Sequence, residues 1–237
     1  MRTVRQILNI AHRGFTKQFP DNTLEAFEAA IKIPVDGIEC DVRETADGRF
    51  VMYHDPELLG RDISQWSLAD IQAVMLQEKY RIPTLEQALD LCRQRVKLNI
   101  ELKRVWSLDR FLEVLRARLS PEEVVLTSFN RDLVLELSRL APDIKRGVIT
   151  AAPIEDPVAL TGETLSDILV LMFPFASVEL ARQAHAADLP VFVWGCTDMT
   201  QVRSALEMEI DGIISDWPDE TANELARMGE TERRPGV

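Results

Sequence analysis

The chain is short of cysteine, of histidine and of positive charge. Its three cysteines, Cys40, Cys92 and Cys196, are odd in number and far apart, with neither zinc-ligand nor redox spacing. That argues against a disulfide framework and for a reducing compartment, so a cytoplasmic location is expected. Lysine and arginine number 27 against 39 aspartates and glutamates, a net charge of −12. Non-specific attraction to nucleic acid or to an anionic membrane is therefore not expected, and an anionic ligand would need local positive charge. No run approaches the roughly 20 apolar residues of a membrane span. The apolar stretch in MRTVRQILNIAHRG ends within a few residues, too soon for a signal peptide. No stable membrane association is expected. Internal repeats and low-complexity tracts are absent as well.

What is present is a regular beat. With 237 residues and 46% hydrophobic content, the chain can bury a large core, and nothing in it reads as a linker. One domain over residues 1–237 is expected, with its barrel at about 8–228 and a flexible polar tail at about 229–237. Eight short β-rich runs recur at Leu8–His12, Gly37–Val42, Lys97–Leu102, Val124–Ser128, Lys145–Ile149, Ile168–Met172, Val191–Trp194 and Gly212–Ser215. Helical patterns follow most of them, at 23–33, 84–95, 107–119, 131–140, 177–187, 200–207 and 219–228. The stretch after the fifth run, AAPIEDPVALTGETLSD, has two prolines and no clear period. Eight βα units in a chain of this length predict an α/β fold, a (β/α)8 TIM barrel with its site at the C-terminal ends of the strands. Asp47-Gly48 reads as a hairpin turn that returns the chain from Asp41 to His54. A short insertion after the second strand, between His54 and Pro83, holds one helix, SLADIQAVM, capped by Ser67.

Most candidate functional residues fall at those strand ends. His12-Arg13-Gly14 closes the first run, Glu39-Cys40-Asp41 lies in the second, and His54-Asp55 follows it. Alternation puts Glu39 and Asp41 on one face and Ile38, Cys40 and Val42 on the other, and LNIELK points Asn99, Glu101 and Lys103 inward by the same rule. Three carboxylates so close repel at roughly 4 kcal/mol per pair, at ~4 Å and an effective dielectric near 20. Either their pKa values rise, or a cation sits among them, and an all-oxygen set suits Mg²⁺ or Ca²⁺. The competing role is a structural network in which Glu39 and Glu101 pair with Arg13 and Lys103.

His12 and His54 follow adjacent strands, where one can act as general base and the other as general acid. Metal ligation and plain packing are the alternatives for a histidine. Arg13 offers the planar donor fork that matches phosphate oxygens, with a salt bridge to Glu39 or Asp41 as its competing role. Trp194, inward at the end of the seventh strand, would wall the pocket or meet a quaternary ammonium group, or else serve as core. Asn22 reads as the cap of the helix near Thr23, and Asp216 as a cap before Pro218. His185, mid-helix in ARQAHAADLP, reads as structural or exposed.

Six blocks carry a family resemblance: AHRGFTKQFPDNTLEAFEAAI, DGIECDVRETADGRFVMYHD, IPTLEQAL, LNIELK, PVFVWGCTD and DGIISDWP. In their order, from about residue 8 to about 220, the chain resembles the glycerophosphodiester phosphodiesterases. That resemblance implies a (β/α)8 barrel hydrolysing glycerophosphodiesters to glycerol 3-phosphate and an alcohol. It implies His12 and His54 as the acid/base pair, Glu39, Asp41 and Glu101 as ligands of one divalent cation, and Arg13 and Lys103 as phosphate contacts. The partner implied is a small-molecule phosphodiester. Three departures stand out: Pro-Asp-Asn-Thr in place of Pro-Glu-Asn-Thr, Gly195-Cys196 after Trp194, and a shorter segment between His54 and Ile82. A lysophospholipase D-type or other phosphodiester substrate is the near alternative, which a wide apolar groove beside Trp194, Phe173 and Phe175 would favour. A barrel that binds a phosphorylated metabolite without catalysis is the alternative from another class, and a metal-dependent aldolase or lyase is a third. Oligomeric state is open.

Overall fold

A computed structural model describes residues 6–233. Eight parallel strands form the barrel: β1 (Leu8–His12), β2 (Gly37–Glu44), β3 (Lys97–Arg104), β4 (Val124–Ser128), β5 (Lys145–Thr150), β6 (Ile168–Met172), β7 (Val191–Trp194) and β8 (Gly212–Ser215). Each runs beside the next, and β1 pairs with both β2 and β8, which closes the ring. A helix follows each strand: α1 (Leu24–Ile31), α2 (Leu85–Cys92), α3 (Leu108–Arg116), α4 (Arg131–Leu140), α5 (Pro157–Thr164), α6 (Val178–Ala186), α7 (Met199–Leu206) and α8 (Pro218–Arg233). The predicted (β/α)8 TIM barrel is the fold observed.

Alternation builds two cores from one set of strands. Outward residues such as Ile38, Cys40, Val42, Leu98 and Ile100 pack against Phe27, Leu89 and Phe111 of the surrounding helices. Inward residues Ile10, Ile149, Ile168, Val170, Phe192 and Ile214 fill the barrel. A Cβ on Gly212 would lie 2.8 Å from the Phe192 ring, so the strand that closes the barrel carries glycine where that ring needs room. The three cysteines are buried and unpaired, and burial pushes the Cys92 and Cys196 thiols up to about 12.

Between β2 and α2 lies the expected excursion. An antiparallel strand, Phe50–Met52, pairs with the end of β2, after a turn at Gly48 with φ +68°. Two short hairpins and the helix Leu68–Ala73, capped by Ser67, follow around a small core of Val51, Leu58, Ile63, Ile71 and Ile82.

Two segments differ from expectation. The aperiodic stretch after β5 holds α5, begun by the Asp156 cap with Pro157 in its first turn. Its inner face includes Thr161 and Thr164, whose hydroxyls donate to the Pro157 and Leu160 carbonyls, so a buried face is made without an apolar period. The last helix continues past Met228 to Arg233, because no helix breaker intervenes beyond a tolerated Gly229. Residues 234–237 of the expected tail lie outside the described residues.

Candidate active site

Strand register assembles the site at the C-terminal mouth. His12 lies beside Glu39, Glu39 beside Asn99, and Asp41 beside Glu101. One oxygen from each of Glu39, Asp41 and Glu101 lies within 4.8 Å of those of the other two, and all three residues are buried. The structure therefore brings together all the carboxylates that alternation pointed inward.

Their charges are not offset equally. Lys103 Nζ lies 2.6 Å from Glu101 and 3.2 Å from Asp41, and Arg13 Nε lies 3.1 Å from Asp41. These cations outweigh burial at Asp41 and hold its carboxyl below the usual carboxylate range. Among the described residues Glu39 has no lysine or arginine at ion-pair distance: the imidazole Nε2 of His12 lies at 3.7 Å, and the Glu39 Oε2 is buried without a hydrogen bond. Burial, then the charges of Asp41 and Glu101, push Glu39 well above the ordinary value. An ion-pair network thus accounts for two of the three carboxylates and leaves an orphaned oxygen on the third. That oxygen, in an all-carboxylate donor set, fits a hard divalent cation.

Backbone strain frames this cluster. Arg13 and Asn22 have φ +57° and +56°, and Gly14 has φ +90°. A Cβ on Gly14 would lie 2.7 Å from the Ala26 backbone, so only glycine lets α1 dock there. The turn between them closes with Asn22 N–H donating to the Arg13 carbonyl at 3.1 Å. Asn22 is not the helix cap; Thr23 is, accepting from Ala26 N–H at 3.2 Å. Asn22 instead grips Asp41 twice, donating from Nδ2 to its carboxylate at 2.8 Å and accepting from its backbone N–H at 3.0 Å.

Each mouth histidine is anchored through Nδ1 by an aspartate. His12 meets Asp216 at 2.7 Å, and His54 meets Asp55 at 2.8 Å. A carboxylate on Nδ1 fixes the tautomer and leaves Nε2 toward the site. Asp216 is thus a partner of His12 rather than a helix cap, and that hydrogen bond, together with the charges of His12 and Arg13, outweighs burial to hold its carboxyl low. Burial pulls His54 below its ordinary value against the pull of Asp55 and Asp41.

Opposite these charges stands an aromatic wall. Trp194 meets Phe129 edge to face at 5.6 Å, and Lys103 Nζ lies 5.6 Å from the centre of the Phe129 ring. Trp194 Nε1 is buried with no hydrogen-bond partner. Phe173 packs into the outer core between strands and helices. His185 is away from the site, with Nε2 2.7 Å from Asp211. Asn22, Asp216 and Phe129 are the residues whose place sequence reasoning missed. For Asp216 the available signal was its position just past the end of the eighth strand.

Such a mouth can hold a phosphate and move protons around it, the work of a phosphoric diester hydrolase. Residues 12–220 match the model of the Glycerophosphoryl diester phosphodiesterase family. The chain belongs to that family. It is 30% identical to a glycerophosphodiester phosphodiesterase of Caldanaerobacter subterraneus subsp. tengcongensis, over 94% of this chain and 98% of that protein. Identity to the Bacillus altitudinis enzyme is 28%, over 88% and 94% of the two chains. An Oleispira antarctica phosphodiesterase, solved with its product sn-glycerol-3-phosphate, shares the fold at a TM-score of 0.85 and 24% identity, covering 92% of this chain and 96% of that one. No described helix is long and apolar enough to cross a membrane.

Proposed function

We propose that the protein hydrolyses glycerophosphodiesters such as glycerophosphocholine or glycerophosphoethanolamine to glycerol 3-phosphate and an alcohol. The observation that carries this reading is the uneven neutralisation of the triad: Glu39 keeps a buried oxygen without a hydrogen bond beside the His12 imidazole, at a mouth where both imidazoles are anchored by aspartates. A binding module needs donors and a charge, but not two oriented imidazoles.

Glu39, Asp41 and Glu101 would hold one divalent cation, Mg²⁺ or Ca²⁺, which when bound supplies positive charge for the phosphoryl oxygens. Arg13 and Lys103 hold the phosphate from the protein side, with guanidinium and ammonium donors already drawn to Asp41. His54, whose neutral ring burial favours, takes a proton at Nε2 from the nucleophile, water or the substrate's own glycerol hydroxyl, as that oxygen bonds to phosphorus and the bond to the departing alcohol breaks. His12, with Asp216 on its Nδ1, gives one to the departing alcohol. Trp194 and Phe129 wall the leaving-group side, and the free indole N–H offers a hydrogen bond to a substrate oxygen. Three buried, unpaired cysteines suit a reducing cytoplasm.

The test is glycerol 3-phosphate release from both substrates by purified protein with Mg²⁺, Ca²⁺ or chelator, beside His12→Ala. Release that needs the metal and disappears in His12→Ala is expected. No release from either substrate with any metal, by folded protein, would overturn the reading.

A further inference from the structure

The mouth holds one more cation than these roles use. Arg43 lies on β2 two residues beyond Asp41, on the same inward face, and only 9% of its surface is exposed. Among the described residues its guanidinium makes no ion pair; its hydrogen bonds run from Nε and Nη2 to one acceptor, the backbone carbonyl of His54, at 2.9 and 2.6 Å. A buried charge without a counter-ion at contact is costly, so its position needs a reason.

The strands supply one. Between β2 and β3 the register slips: Val42 faces Leu102, but Arg43 faces Arg104, and Lys103 is stepped over. Without the slip, two inward cations would lie side by side. With it, Lys103 goes to Asp41 and Glu101, while Arg43 reaches the chain leaving Phe50–Met52. Bulges beside active sites commonly re-aim side chains in this way. The hairpin ladder ends at Tyr53, whose N–H donates to the Asp41 carbonyl at 3.0 Å. Past that point the His54 carbonyl is held by the Arg43 side chain rather than by backbone. The other anchor of His54 is its own neighbour Asp55, whose side chain is 66% exposed.

We propose that Arg43 is a positioning residue for His54: its guanidinium fixes the His54 main chain and thereby places the imidazole at the mouth. Two N–H groups of one rigid plane on a single carbonyl set direction as well as distance, which a lysine ammonium cannot do. This rests on the catalytic role given to His54 above.

The test compares kcat and KM on glycerophosphoethanolamine with Mg²⁺ for wild type, Arg43→Lys, Arg43→Met, His54→Ala and the Arg43→Met/His54→Ala double variant. Misplacing a catalytic group by about 1 Å costs on the order of 100-fold, so Arg43→Met is expected to lower kcat about 10- to 100-fold with KM within about twofold. Arg43→Lys should recover part of the loss, and the double variant should be no slower than His54→Ala alone. Because the chain has three histidines, the His54 imidazole NMR signal can be assigned by its loss in His54→Ala. That signal should move in Arg43→Lys while the His185 signal stays. Should Arg43→Met not fold, Arg43→Lys carries the same cycle and the same spectrum. An unchanged kcat, a rise in KM alone, a full additional loss in the His54→Ala background, or an unmoved His54 signal would overturn the proposal. Full activity in His54→Ala would instead overturn the role of His54, and that variant reads it separately.

Discussion

Two sides of the same barrel face each other with opposite chemistry. Strands β1–β3 present His12, Glu39, Asp41, Arg43, Asn99, Glu101 and Lys103, whereas β5–β7 present Ile149, Ile168, Val170 and Phe192. The apolar side is held by packing that any well-filled core shares. The charged side is held by specific pairs and leaves Arg13 Nε, Glu39 Oε2, Asp41 Oδ1 and Asn99 Nδ2 buried without a hydrogen bond. Stability and chemistry are thus divided between halves of one ring, and damage to each half should read out differently.

The sharpest break is Glu39→Gln. Activity should fall about 100- to 1,000-fold, the range seen when one transition-state contact is removed. With chelator present, the same change should raise Tm by roughly 2–4 °C, since relief of a buried like charge at about 1 kcal/mol shifts a domain of this size by that much. An unchanged or lower Tm in a thermal melt would remove the claim that Glu39 is the strained member of the triad. Phe192→Ala should do the reverse. Loss of a buried ring costs about 3–5 kcal/mol and should lower Tm by roughly 10 °C, while kcat well below the melt stays within about tenfold of wild type.

Asp216→Asn keeps the shape and removes the anchor charge on His12. A drop in kcat of about 10- to 100-fold with little change in KM is expected, in line with the loss of a general acid/base contribution. The same variant tests pH dependence. The Asp216 carboxyl is held low by His12, so the folded state binds its proton less readily than the unfolded chain. Its stabilisation is complete above the ordinary carboxylate range and is lost as pH falls through the folded value. The Tm difference between wild type and Asp216→Asn should therefore be present at pH 7 and shrink as pH falls below the ordinary carboxylate range. The smallest effect is expected outside both halves, at Lys17, which pairs with Asp219 at 3.2 Å and with Glu220. Lys17→Ala should change stability by less than about 1 kcal/mol and leave kcat alone; a kinetic effect would show that this staple between the first loop and α8 shapes the mouth.

The fold was legible because each barrel strand is a short apolar run with a helix or turn signal behind it. Glu39 and Asp41 were legible because alternation alone fixes their shared face. Asn22 was not, because Asn before Thr in a helix-start pattern has a local explanation, and the clamp on Asp41 depends on left-handed backbone that the sequence does not announce. Asp216 was misread for a similar reason: Pro218 supplied a nearby use for a carboxylate, while its partner His12 lies 204 positions away. Arg43 was hidden by the register slip, which no periodicity reveals. Helix α5 was missed because threonines, not leucines, supply part of its buried face.

The bond between His12 and Asp216 joins the first strand to the segment after the last, across the seam where β1 meets β8. The two residues are 204 positions apart, so β8 must be made before the bond can form. A chain cut before Asp216 lacks the carboxylate that holds His12 Nδ1. On the role proposed for His12, closing the ring and orienting that imidazole are one event, so opening the seam between β1 and β8 would release both.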